Sequence, residues 1–293
     1  MRSVAARLAL LGVLWLLAVT AWSAPRIGVA TMQPGEVFFE RFGHNAIVVV
    51  DPASGDAISY NFGFFDPGES DFVGNFARGH MMYYLMALPF EQDLLQYRDS
   101  GRGVSLQWLD LAPAQAQALA DALVERARPE NARYRYDYFT SNCSTQVRDA
   151  LDAALGGTLK SQLAGRSRGN TLRSEAVRLA SPATWMWLGF DVGLGPSADK
   201  PMSRWEEAYV PMRLADSLRE AKNSAGRPLV QSEMQLLPHR IAPEPAETPR
   251  RWLPWLGAGV VAALLIGFAG RPWPRAVPVA ALPFWLLGFL GRG

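Results

Sequence analysis

Hydrophobic positions crowd the two ends of the chain and fall into short periodic runs between them. After Arg2 and Arg7, residues 8–24 carry no charge. That length and its positive flank predict a signal peptide over residues 1–24, cut after Ser23, or the same segment retained as an N-terminal membrane anchor. Near the other end, Trp252 to Gly270 is a run of 19 residues without a charge, against the roughly 20 that cross a bilayer as a helix. Arg271 and Arg275 follow, then a second uncharged stretch, 276–291, interrupted by Pro278 and Pro283. The pattern predicts a two-helix membrane hairpin over 252–291. Arg2, Arg7, Arg271 and Arg275 orient it with the main domain outside, as the positive-inside tendency prefers. A hairpin packed on the domain's own surface is the alternative.

Between the ends the period changes from run to run. Residues 46–50, 57–62, 80–88 and 103–111 have the length and β-branched or alternating character of strands. Tyr134, Tyr136 and Tyr138 alternate as an extended segment would. Pro113 opens a helix to about Arg128, with Ala116, Leu119, Ala120 and Leu123 on one face. Ser141 and Asn142 are N-cap candidates for a helix from about Cys143 to Leu155, closed by Gly156 and Gly157. Thr171–Leu179 is a short helix, and 204–221 is helical apart from Pro211. Residues 158–170 and 185–205 are expected as loops. Residues 238–251 are polar and proline-rich, a linker. The organisation is therefore a catalytic-sized domain over 25–237, the linker, and the hairpin.

Composition narrows the partners. The chain of 293 residues has a net charge of +2 and no dense Lys/Arg stripe, so no nucleic-acid partner is expected. Its single cysteine, Cys143, permits no internal disulfide. The three histidines, His44, His80 and His239, are isolated, with no HExxH and no clustered thiols. Neither a metal nor a cofactor is expected.

Chemistry converges on Cys143. At a helix start, free backbone N–H groups and the positive helix end favour a thiolate and can hold an oxyanion. The base it needs is His44, just after Gly43 and before the strand-like run AIVVV, with His80 the runner-up. An inert buried cysteine and a structural histidine are the plain alternatives. Asn142 caps the helix or lends its amide to the oxyanion site, and Asn45, Tyr60 and Asn61 are candidates for orienting the imidazole. Phe62, Phe64 and Phe65 line an acyl groove or serve as core packing. Arg148 and Asp149 read as ordinary structural groups.

The segments FGHNAIVVV (42–50), YNFGFFD (60–66), YDYFTSNCSTQVRD (136–149) and YVPMRLADSL (209–218) resemble the Lnb-type N-terminal periplasmic domain family. The resemblance covers about residues 28–225. It implies an α+β fold, a permuted NlpC/P60 (papain-like) domain with the C-terminal transmembrane hairpin appended. It also implies the activity of a bacterial lipoprotein N-acyltransferase, with Cys143 as nucleophile and His44 as base. A membrane phospholipid would be the acyl donor and the N-terminal amine of a diacylated lipoprotein the acceptor. The location would be the bacterial inner membrane, with the catalytic domain facing the periplasm or cell exterior and the lipid bilayer as a further partner. The other readings are a cell-wall peptide amidase or peptidase of the NlpC/P60 type, and a membrane-anchored binding module.

Overall fold

The computed structural model describes residues 24–66, 68, 74–75, 78–246, 252–270 and 282. One antiparallel sheet organises them. Its strands are β1 (Arg26–Met32), β2 (His44–Val50), β3 (Ala57–Phe64), β4 (Met82–Pro89), β5 (Val104–Leu109), β6 (Arg133–Arg135) and β7 (Val230–Leu237), in the spatial order β6-β4-β3-β2-β1-β5-β7.

The two-residue alternation of the central strands explains the layers. Ile27, Val29, Ile47, Tyr60, Phe62, Tyr83 and Leu85 face one side. There they meet α2 (Pro113–Arg126) through Ala116, Leu119 and Leu123, and α3 (Cys143–Ala154) through Val147 and Leu151. Leu159 and Leu163 of α4 (Thr158–Leu163) join the same cluster, as do Leu214 and Leu218 of α7 (Pro211–Glu220). The intervening positions Ala30, Met32, Ala46, Val48, Leu106 and Trp108 face the other side. That side is covered by Phe90, Leu94 and Tyr97 of α1 (Phe90–Asp99). Two further helices, α5 (Leu172–Ala180) and α6 (Thr184–Gly193), pack together beside a third cluster around Leu179, Met202, Tyr209 and Met212.

Several elements differ from expectation. β1, α1 and β7 were not anticipated. Residues 185–205 were expected as loop, yet α6 occupies the first part. α4 likewise begins the expected loop 158–170. The run 204–221 is two helices, Arg204–Glu207 and α7, because Pro211 has no N–H to donate and starts a new helix at its first position. Residues 239–246 are pinned down. The Gly103 N–H donates to His239 Nδ1 at 3.0 Å, and Arg178 donates to Glu244 and to the Pro245 carbonyl at 2.7 and 2.8 Å.

The expected fold class, a permuted NlpC/P60 domain with a C-terminal transmembrane hairpin, is corrected to an α+β domain on one seven-stranded antiparallel sheet. Among the described residues no helix is long and apolar enough to cross a membrane. A helix, α8 (Trp252–Gly270), does occupy the first expected hairpin arm. The expected second arm, 276–291, lies outside the described residues except for Leu282, and residues 1–23 lie outside them altogether.

Candidate active site at the end of the sheet

The α3 helix begins at Cys143 because Asn142 caps it. Asn142 Oδ1 accepts from the Thr145 N–H at 2.9 Å, and the Asn142 N–H donates to Thr145 Oγ1 at 2.7 Å. The Asn142 amide donates to the carbonyls of Tyr138 and Tyr209, both at 2.9 Å. With its oxygen and both protons committed, this side chain holds the helix start against two neighbouring segments. Cys143 itself is buried at the head of the helix.

His44 is the first residue of β2, and its imidazole stands against the Cys143 thiol, near enough for each to shift the other's protonation. Gly43 permits this placement. It adopts φ +76°, and a Cβ there would stand 2.8 Å from the Met32 carbonyl oxygen and 2.9 Å from Met212 Sδ. No other residue fits that turn. Opposite, Gly63 sits in the bulge between Phe62 and Phe64 at φ +105°, and its absent Cβ would touch Cys143 Cβ at 3.7 Å. The bulge carries β3 past the thiol.

Behind the imidazole runs a buried polar chain. His44 Nε2 lies 3.0 Å from Asn61 Oδ1. With Nε2 so engaged, Nδ1 is the nitrogen left for the thiol. The Asn61 amide donates to Asp93 Oδ2 at 3.0 Å and to Ser59 Oγ at 3.1 Å. Those two acceptors fix the amide's orientation, so its oxygen faces His44 and accepts from Nε2–H. Asp93 belongs to α1, which brings its carboxylate to the same face of the sheet as Asn61.

The other two candidates for orienting the imidazole are placed elsewhere. Tyr60, one residue from Asn61, faces the opposite side and packs in the main core. Asn45 spends its side chain on Thr31 Oγ1 at 2.9 Å and the Ala30 carbonyl, and its oxygen accepts from Ser144 Oγ at 2.9 Å. The Asn45 and Ser144 backbone N–H groups, however, favour the thiolate form of Cys143 and lower its pKa.

These contacts set the protonation states. Burial alone would raise the Cys143 thiol, but the His44 charge, its hydrogen bond and the two backbone N–H donors outweigh it and hold the thiol below its ordinary value. Burial alone would lower His44. The Cys143 charge and hydrogen bond, the Asn61 hydrogen bond and the Asp93 charge reverse that and raise it. The pair is therefore biased toward thiolate and imidazolium.

The pair opens into a cleft of about 490 Å³. Thirteen of its 27 lining residues are Phe or Tyr, among them Phe62, Phe64 and Phe65, so the wall is built for apolar contact. Phe39, Phe65, Tyr83 and Tyr136 form a ladder of rings with successive centroids 5.9, 5.2 and 4.0 Å apart. Its inner end, Tyr136, lines the same space as Cys143. Polar groups gather at one side. There Arg102 donates to the Gln33 carbonyl at 2.9 Å, pairs with Glu40 at 3.4 Å and lies 4.9 Å over the Tyr97 ring.

The remaining candidates lie outside the cleft. His80 is exposed in the loop before β4, and the His239 ring is engaged by Gly103 and Ala242. Arg148 pairs with Asp149 at 2.8 Å and lies 4.0 Å over the Trp205 ring. Among the described residues no cluster of metal-ligating side chains occurs. Sequence reasoning missed Asp93, Tyr83, Tyr136 and Phe39. Asp93 left one trace, a carboxylate between the apolar positions Phe90 and Leu94.

The sequence model of the Lnb N-terminal periplasmic domain matches residues 15–179, more than half of the chain. Comparison with curated proteins gives no match. Among solved structures, that of the Type VI secretion system effector TseH is similar at 14% identity, over 46% of this chain and 79% of that one. Its TM-score of 0.33 is too low to argue from.

Proposed function

The chain belongs to the Lnb N-terminal periplasmic domain family, which gives it a periplasm-facing location, and from that premise we propose that it is a thiol acyltransferase. Its acyl chain would come from a membrane phospholipid and pass through a thioester on Cys143 to the N-terminal amine of a diacylglyceryl lipoprotein. The observation that carries the reading is the thiol–imidazole pair in the wall of an aromatic cleft. Such a pair suits acyl transfer without a metal. The aromatic wall suits a hydrocarbon chain better than a cell-wall peptide.

In the first step the Cys143 thiolate attacks the ester carbonyl. A C–S bond forms, and the oxyanion is held by backbone N–H groups of the first turn of α3. The C–O bond then breaks, and imidazolium His44 gives its proton to the departing glycerol oxygen. In the second step the amine attacks the thioester and a C–N bond forms. His44 accepts the amine proton as the C–S bond breaks and the thiolate returns. Asn61 keeps Nδ1 of the imidazole toward the sulfur throughout, with Asp93 positioning Asn61.

The test supplies the full-length protein with a diacylated lipoprotein and phospholipid, and weighs the lipoprotein by mass spectrometry. One added acyl chain on the amino group is expected. Cys143→Ala is expected to lose it entirely, and His44→Ala to slow it by about 10²–10⁴-fold, the usual range for a positioned base. Cleavage of a cell-wall peptide with no change in the lipoprotein overturns the reading.

A further inference from the structure

We propose that the outward face of α6 and the segment Val37–Phe39 form a rim that seats the cleft mouth on a lipid bilayer surface. The inference rests on the acyl-transfer reading, since it names how a bilayer lipid reaches the same cleft.

Three observations carry it. First, α6 has its apolar stripe on the wrong side for a helix in water. Trp185, Leu188 and Val192 recur at helical spacing and are 68%, 40% and 37% exposed, while Met186 on the other side is buried. A surface helix of a water-borne domain carries polar residues at such positions. Second, the patch is assembled from two distant parts of the chain. Val37 and Phe39 are 49% and 61% exposed, and the Phe38 ring stacks on Trp185 with centroids 6.1 Å apart. Unrelated segments thus contribute to one apolar surface, larger than a scatter of single exposed residues.

Third, the patch continues into the site. Phe39 is at once an exposed rim residue and the outer rung of the ring ladder that ends beside Cys143. The wall between rim and cleft is closed by Phe42 against Phe190, with centroids 5.6 Å apart. This unbroken apolar path selects the occupant. A protein partner would cover the rim but would have no use for a hydrocarbon-lined route to the thiol. A bilayer supplies both an apolar medium for the rim and a flexible chain for the route. Exposed Trp and Leu on one face of a short helix are the side chains that settle at the level of lipid headgroups.

The single native cysteine makes a direct test possible. In a full-length Cys143→Ala background, Val192→Cys is labelled with an environment-sensitive fluorophore, and Ala118→Cys on the far helix α2 serves as the reference. Vesicles of phosphatidylethanolamine and phosphatidylglycerol are then added. A blue shift with several-fold brightening at 192, quenched by lipid-borne quenchers, and no change at 118, is expected. No response at 192, an equal response at both sites, or a buried signature at 192 before vesicles are added overturns the rim. The last two would mean that another part of the chain binds the vesicle or that another protein segment covers the patch.

The active protein gives a second reading. Trp185→Glu combined with Leu188→Glu is expected to slow transfer from vesicle lipid at least tenfold and to leave transfer from a monomeric short-chain ester unchanged. Equal loss on both donors, or loss on neither, overturns the proposal. An intact protein that transfers no acyl chain at all would defeat the acyltransferase reading, while the fluorophore result would still decide the rim.

Discussion

Three kinds of neighbour set the state of the Cys143 thiol. The imidazole supplies charge, two backbone N–H groups supply dipoles, and Gly63 supplies room. The first is tested by alkylation rate against pH. The thiol is held low by His44, so the intact protein is expected to be alkylated at pH values below the ordinary thiol range. In His44→Ala the attraction is gone and burial remains, so the midpoint is expected to move up past the ordinary value. An unmoved midpoint would mean that the helix end, not the imidazole, governs the thiol. The sign for stability follows. Cys143, with its lowered value, stabilises the fold above its ordinary pKa and loses that contribution as pH falls through the lowered one. His44, with its raised value, stabilises below its ordinary pKa and loses the contribution as pH rises through the raised one.

Asp93→Asn keeps size, burial and one oxygen able to accept from the Asn61 amide, but removes the charge that raises His44. We expect the basic limb of the activity profile to shift to lower pH, with kcat falling and KM little changed. A profile of unchanged shape would reduce Asp93 to a packing role. Cys143 and His44 were legible as residues because thiol and imidazole are rare in this chain. Asn61 was legible only as one of three, since adjacent strand positions point to opposite faces and a single sequence does not say which face meets the site. Asp93 was hidden because its helix had not been recognised.

At the scale of elements, the start of α3 is the joint on which the site depends. Asn142→Ala removes one cap acceptor and leaves the Tyr138 and Tyr209 carbonyls without their donor. A loss of about 1–2 kcal/mol is expected in denaturant unfolding, more than for a solvent-exposed cap. Gly63→Ala has space but the wrong backbone. At φ +105° it is expected to cost about 1–2 kcal/mol, or to shift the bulge and change the thiol's alkylation rate. Neither effect would mean that the bulge is not held open by that torsion.

The strands at 46–50, 57–62, 80–88 and 103–111 and the helices from Pro113 and Cys143 could be read from the sequence because each has a clean period and a proper start signal. α6 could not. Its outward positions are as apolar as its inward ones, so the polar–apolar contrast that announces a surface helix is missing, and Gly189 and Gly193 imitate a loop. β7 hid for the opposite reason. It is a largely exposed edge strand, and its middle residues Gln231, Ser232, Glu233 and Gln235 carry little apolar signal. Such polar edges also discourage pairing with another sheet.

Across the whole molecule, the α5–α7 side is tied to the core by charge. Glu175 is buried between Arg178 and Arg213, at 2.6 and 2.9 Å. Burial would raise its carboxyl, but hydrogen bonds from Arg213 and Arg178 hold it below the usual carboxylate range. A lowered carboxylate stabilises above its ordinary pKa and loses that contribution as pH falls through the lowered one. Acid unfolding is therefore expected to begin here, with early loss of protection in α5 and α7 by hydrogen exchange. Glu175→Gln should flatten the acid limb while lowering stability at neutral pH, because it leaves two buried guanidinium groups short of charge. The ends of the chain were the most conspicuous feature of the sequence. Uncharged length gives the capacity to cross a bilayer, and among the described residues no helix is long and apolar enough to use it.

The solitary thiol has a chemical consequence of its own. Should peroxide or hypochlorous acid convert Cys143 to a sulfenic acid, the polypeptide contains no second sulfhydryl to condense with it. Recovery then depends wholly on a reductant arriving from solution through the aromatic cleft, and a lesion that outlasts that arrival proceeds to the irreversible sulfinic form.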